Sequence, residues 1–206
     1  MNELPAREHW QQMYSTRQEQ ELSWFEEAPA ISLELLLTPE LHKDLPVLDV
    51  GGGTSRLVDA LLDRGFTQPS VLDISAAALE KSKRRLASRA SQVRWIVADI
   101  TTWEPDRQYS AWHDRAVFHF LTTEEQRLAY RSALEHAVAP GGAVVIGTFA
   151  LDGPERCSGL PVRRYSPESL AAELGSAFAC TAVRCIDHAT PAGKVQRFQF
   201  SRFDRK

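Results

Sequence analysis

"VLDVGGGTSR", residues 47–56, is an apolar run that ends in an aspartate, turns through three glycines and opens what reads as a helix. A strand, a glycine-rich turn and a helix in that order form a nucleotide cradle, because the turn brings backbone N–H groups and the helix N-terminus up to the ligand. The nicotinamide pattern needs a glycine three places beyond Gly53, where Arg56 stands. Asp49 ends the strand with a negative charge that repels phosphate, and no Gly-Lys-Ser/Thr follows. The expected ligand therefore carries hydroxyls and an ammonium rather than phosphates.

Outward from this turn, short apolar runs alternate with helical periods. "SVLDI" (70–74), "VRWIVADI" (93–100), a run within 109–120 and "AVVIGTF" (143–149) read as further strands. Leu57, Val58, Leu61 and Leu62 recur at helical spacing up to Gly65, and Ser75 can cap an alanine-rich helix. Thr122 with Glu125 predicts a capping box for a helix to about residue 138, ended by "PGG" (140–142). Helices are expected near 5–20 and 29–37, and another from Pro167 capped by Ser166. "FACTAVRCID" and "KVQRFQFSRF" read as a closing antiparallel hairpin. The implied architecture is an open α/β sheet with helices on both faces, a C-terminal hairpin and an N-terminal helical cover.

The chain has 206 residues, 43% apolar and 25% charged, with a net charge of −3. These values suit one globular domain and give no basic footprint for nucleic acid. The run Lys81–Arg85 reads as a solvated helix face. No stretch has the length of a membrane span, and the N-terminus lacks the apolar core of a secretory signal. Three cysteines make no disulfide framework; Cys180 and Cys185, at odd spacing, are expected on opposite faces of one strand. A cytoplasmic protein without metal is expected, since no His/Cys cluster has zinc spacing.

"LDVGGGTS", "VLDIS" and "VADI", in this order and spacing, resemble the class I S-adenosylmethionine (SAM) methyltransferases along nearly the whole chain. The resemblance implies a mostly parallel seven-stranded sheet. It also implies a single domain over 1–206, with a cover over 1–40 and a Rossmann-like core over 46–206. It implies SAM as cofactor and S-adenosylhomocysteine as product. Asp49, Gly51, Gly52 and Gly53 fall where the family holds the amino-acid part of SAM. Asp73, followed by Ile74, falls where an acid accepts from the ribose hydroxyls. Asp99, with Ile100 beside the ring, falls at the adenine. Asp73 as a helix N-terminal acid and Asp99 as a turn cap are the competing readings.

"WHDRAVFHFL" (112–121) supplies the candidate catalytic groups Asp114, His113 and His119, with His113 also close to the cofactor. Asp114-Arg115 resembles the Asp-Arg-Gly pattern of two groups, the thiopurine, thiol and halide methyltransferases and the small protein-lysine methyltransferases. Ala116 departs from their glycine. The segment "HWQQMY…ELSWFE" resembles both groups, and Trp24 is either an aromatic that closes over SAM or a packed core residue. His9 and Trp10 read as packing or surface residues. Arg156, Arg163 and Arg164, in the loop after the fifth strand, either hold an anionic acceptor or pair with Glu155 and Glu168; Cys157 reads as a spectator thiol. The leading expectation is methyl transfer to a small molecule such as a thiol or other soft nucleophile. Protein-lysine N-methylation and a non-catalytic SAM-binding module are the alternatives.

Overall fold

The computed structural model describes residues 6–206. The first five residues of the expected cover, including the start of its first helix, lie outside the described residues. Seven strands form one sheet in the order β3-β2-β1-β4-β5-β9-β8. Here β1 is Val47–Val50, β2 Pro69–Asp73, β3 Arg94–Val97, β4 Tyr109–Arg115 and β5 Val138–Phe149, all mutually parallel. The hairpin strands β8 (Phe178–Ala189) and β9 (Val195–Arg205) close the sheet, with β9 antiparallel to both β5 and β8. A two-stranded ribbon, β6 (Arg156–Cys157) with β7 (Leu160–Pro161), interrupts the region expected to be loop.

Strands β1 and β2 are buried at every position, as an apolar run covered on both faces requires. Even-numbered residues of β1, β4 and β5, among them Leu48, Trp112 and Val144, pack with Tyr130 and Leu134 of helix α5 (Glu124–Ala137). Odd-numbered residues, such as Val47, Ala111 and Val145, pack with α2 (Ala30–Leu36) and α3 (Leu57–Asp63) on the other face. This alternation, dictated by the pleat, decides below which side chains reach the site.

Ser75 Oγ accepts from Ala78 N–H at the start of α4 (Ala76–Leu86). Gln11 of α1 (Ala6–Thr16) reaches the same end, where Oε1 accepts from the Ser75 hydroxyl and Ala77 N–H at 3.0 and 3.2 Å. The cover is thus anchored above the carboxyl end of β2. Helix α6 (Pro167–Leu174) starts at a Ser166 cap, with Pro at its first position, as the sequence predicts.

Three local expectations are corrected. The capping box of α5 is Thr123 with Gln126, one residue later than Thr122 with Glu125. "PGG" lies inside β5, where the register jumps from Tyr109↔Val138 to Ala111↔Ala143, so the glycines absorb an irregularity rather than end the helix. In β8 a register shift between Cys180 and Ala182 sets Cys180 opposite Phe203 and Cys185 opposite Gln199. Phe203 and Gln199 share a face, so the two cysteines do too; both are free thiols. Among the described residues no helix is long and apolar enough to cross a membrane.

Candidate functional site

The chain runs from β1 outward to β3, then returns across β1 to place β4 on its other side. A crevice outside the carboxyl ends of the strands is the ligand position at such a reversal. A cavity of ≈ 1030 Å³, open to solvent, extends along this edge from Asp99 after β3, past Asp73 and Gly51, to Arg115 at the end of β4 and Gln196 and Phe198 of β9. A smaller polar cavity of ≈ 540 Å³ adjoins it, with Tyr14, Trp24, Gly51 and Arg115 as common walls.

At the β1 end, Gly51 has φ +64°, and a Cβ there would stand 2.0 Å from Val117 Cγ2. Only glycine holds this turn so close to the β4 loop. Asp49 and His113 are register partners on adjacent strands, and both point to the α2 face. Asp49 Oδ1 lies 2.7 Å from His113 Nδ1, and His113 Nε2 lies 2.8 Å from Ser32 Oγ. Asp49 Oδ2 is buried without a partner, and a Cβ on Gly52 would sit 2.6 Å from it. A carboxylate with one oxygen pinned and one unsatisfied fits a ligand ammonium.

Asp73 is 4% exposed, and its Oδ1 accepts from Ser75 N–H at 2.8 Å. Burial above all, with a contribution from the nearby Asp49 charge, pushes its carboxyl up to about 7. Asp99 is half-buried and accepts through Oδ1 from the backbone N–H and hydroxyl of Thr101, at 2.9 and 2.7 Å. Ile74 and Ile100 line the large cavity beside these acids. Of the ten cofactor positions read from the sequence, all but Gly53 line one of the two cavities. Gly53 lies under the cover, where a Cβ would meet Tyr14 Oη at 2.8 Å.

Trp10, Tyr14 and Trp24 form an aromatic cluster over this edge, with the Trp10 and Trp24 rings edge-on at 5.7 Å. Trp24 packs in this cluster and lines the cavity. Trp10 also lines the cavity, so reading it as a packing or surface residue missed half its role. Tyr14, 5% exposed, was missed altogether; its phenol is held neutral by burial and the nearby Asp73 charge. A polar link fixes the segment below: Glu19 meets Arg56 and Arg85, each at 3.1 Å.

Strand parity separates the three catalytic candidates. Asp114 follows His113, so it points to the opposite face and does not line either cavity. Its carboxylate, fully buried, accepts from Val117 N–H (2.8 Å), Phe118 N–H (3.1 Å) and Tyr130 Oη–H (2.7 Å). Trp112 Nε1–H donates in turn to Tyr130 Oη. Burial raises the Asp114 carboxyl to about 6. Asp114 therefore holds the 115–118 turn in shape. Within it Ala116 takes φ +70°, the left-handed region in which the resembled families place glycine.

His119 is fully buried between Phe120 and Phe149, and Nδ1 accepts from Phe149 N–H. Burial pushes its imidazole down to about 3, so it stays neutral and faces no cavity. The loop arginines are also turned away. Arg163 pairs with Glu173 at 2.9 Å, Arg164 with Glu155 at 3.1 Å, and Arg156 donates to the Gly159 carbonyl. The arginine on the cavity wall is Arg115, 3.5 Å from Glu26 and over the Phe198 ring. Cys157 lines the wall too, and burial pushes its thiol up to about 11. Parity along "WHDRA" is the signal that finds Arg115: it lies two residues beyond His113 and so on the same face.

The sheet order and the crevice at its reversal are those of an open, Rossmann-like α/β fold. A family model described as "Methyltransferase domain" matches residues 47–142, from β1 into the start of β5. The chain is 24% identical over 150 residues to the eEF1A lysine and N-terminal methyltransferase of Mus musculus, covering 70% of this chain and 21% of that protein. It thus spans about a fifth of the length of that relative and of its Bos taurus counterpart.

Among solved structures, one concerns the conversion of a disulfide bond into a thioacetal group during echinomycin biosynthesis. It aligns at TM-score 0.75 and 20% identity, over 98% of this chain and 93% of the other. The 1,6-didemethyltoxoflavin-N1-methyltransferase of Burkholderia thailandensis, with bound 1,6-didemethyltoxoflavin and S-adenosylhomocysteine, aligns at TM-score 0.73 and 18% identity, over 100% and 93%. At these identities the likeness is one of fold.

Proposed function

We propose that this chain transfers a methyl group from SAM to a small, soft nucleophile, with residues 1–40 as a cover on the 46–206 core. When bound, SAM supplies an electrophilic methyl on a positively charged sulfur. Asp73 accepts from the ribose hydroxyls, Asp99 and Ile100 hold the adenine, and Asp49 Oδ2 takes the ammonium. Gly51, Gly52 and Gly53 leave room for the amino-acid part. His113 positions Asp49, since both of its ring nitrogens are engaged. Tyr14 and Trp24 cover the cofactor and keep water out, which strengthens a charged nucleophile's attack.

The observation that carries the reading is the make-up of the cavity beyond Gly51, on the β4 and β9 side. Among the described residues this half holds Phe120, Phe198 and the Arg115 cation, and no carboxylate. It has no free base, because His119 faces elsewhere and Cys157 is neutral. An acceptor that arrives ionised, or is a nucleophile without losing a proton, suits such a pocket. A lysine ammonium would need a proton acceptor, which this half of the cavity does not offer. The lysine reading is favoured instead by the likeness to the mouse relative, whose printed name includes lysine methylation.

Isothermal titration tests the cofactor half. The protein should bind S-adenosylhomocysteine and not NAD; the reverse result overturns the reading.

A further inference from the structure

Gln196 lies near the start of β9, opposite His188 of β8, at the same sheet edge as the carboxyl end of β5. It is 9% exposed and lines the large cavity, yet its Oε1 is buried with no hydrogen-bond partner. Gln199, three residues on, is the contrast: Nε2–H donates to Thr148 Oγ1 and Oε1 accepts from the Ser201 hydroxyl. A glutamine in this strand can therefore be fully satisfied, and Gln196 is not. His188, its strand neighbour, uses Nε2 on the Ser23 carbonyl and offers nothing.

A buried amide oxygen left unpaired is destabilising, and such groups in native proteins call for an explanation. Here the cavity provides one. Phe198 follows Gln196 by two residues and so shares its face, with the Arg115 guanidinium over its ring. Trp10, Trp24 and Phe120 stand on the other walls. Aromatic walls favour a flat, apolar ring, and a single polar group among them fixes its orientation.

We propose that Gln196 is the specificity-determining contact of the acceptor pocket, and that it reads an N–H or O–H donor on a planar aromatic acceptor. The inference rests on the methyltransferase reading and adds the class of acceptor to it.

The test uses ligand-observed NMR on the full chain saturated with S-adenosylhomocysteine. The probes are two shape-matched pairs, indole against benzofuran and benzimidazole against benzoxazole. In each pair one member carries a ring N–H and the other a ring oxygen. The N–H member should bind about tenfold more tightly, the scale of one net hydrogen bond. Gln196→Met should erase that preference while keeping S-adenosylhomocysteine affinity and an equal or higher melting temperature. Gln196→Glu, still an acceptor, should preserve the preference. The proposal is overturned if no N–H probe binds the loaded protein, if wild type shows no preference, or if the preference survives in Gln196→Met. Failure of S-adenosylhomocysteine to bind wild type overturns the methyltransferase reading instead, and the two failures are read in separate titrations.

Discussion

His113 Nδ1 lies 2.7 Å from Asp49 Oδ1 across adjacent parallel strands, and leaves Asp49 Oδ2 as a buried, unpartnered acceptor beneath Gly52. If that oxygen receives the cofactor's ammonium, Asp49→Asn removes a charge-assisted bond of about 1.5–3 kcal/mol. S-adenosylhomocysteine affinity should then fall roughly tenfold to hundredfold by titration. His113→Ala should weaken binding too, and also lower the melting temperature, because it strands Asp49 Oδ1 and Ser32 Oγ. Unchanged affinity in both variants would remove Asp49 from the cofactor site.

If Asp73 accepts from the ribose hydroxyls, cofactor binding should be pH-dependent. The folded Asp73 carboxyl titrates at about 7 against an ordinary 3.8, so the ligand-free protein loses stability from this group as pH rises from about 4 to about 7. Ribose hydroxyls would donate to the ionised form, so binding would release the proton. S-adenosylhomocysteine affinity should therefore drop below pH 7, by up to about tenfold per unit, and level off above it. Asp73→Asn should bind weakly with a flat profile. A wild-type profile as flat as the variant's would contradict this role.

Asp114 is predicted to act on stability. Asp114→Ala strands the Tyr130 hydroxyl and the Val117 and Phe118 N–H groups, at about 1–3 kcal/mol for each buried group left unpaired. A melting temperature lower by about 6–36 °C is expected in a thermal scan. Full stability with lost turnover would instead restore Asp114 to the acceptor site.

His119 is predicted to sense acid without taking part in turnover. Its folded pKa of about 3 lies below the ordinary 6.5, so the unfolded chain binds the extra proton between those values. Stability from this group is present above 6.5 and is lost by about 1.4 kcal/mol per unit as pH falls below it. His119→Phe should lack that slope. Comparing urea melts of the two proteins at pH 7 and pH 5 isolates it, because the opposing slopes of Asp73 and Asp114 cancel in the difference. Parallel pH profiles would show that His119 ionises as freely as in water.

The glycine turn, the two strand-terminal acids and the closing hairpin were legible in the sequence because each rests on local pattern: a run, a turn residue, an alternation. Which side chains of "WHDRAVFH" reach the cavity was less legible. The strand is buried on both faces, so hydropathy does not mark the pleat, and choosing Asp114 over Arg115 is a choice of parity. Gln196 carries no sequence signal, because only the spatial absence of a partner distinguishes it from Gln199. Of the loop arginines, Arg164 takes the local partner Glu155 that the sequence offers, whereas Arg163 takes Glu173, a tertiary contact that charge counting does not resolve.

Methyl transfer to a small acceptor, through the cavity that Arg115 and Phe198 border, is read from where a labelled methyl goes. The protein is incubated with methyl-labelled SAM and either a low-molecular-weight cell extract or a dialysed protein extract. Label should enter small molecules in the first mixture, and the transfer should fail in Asp49→Asn. Label confined to protein in the second mixture would contradict this and point to a protein acceptor instead.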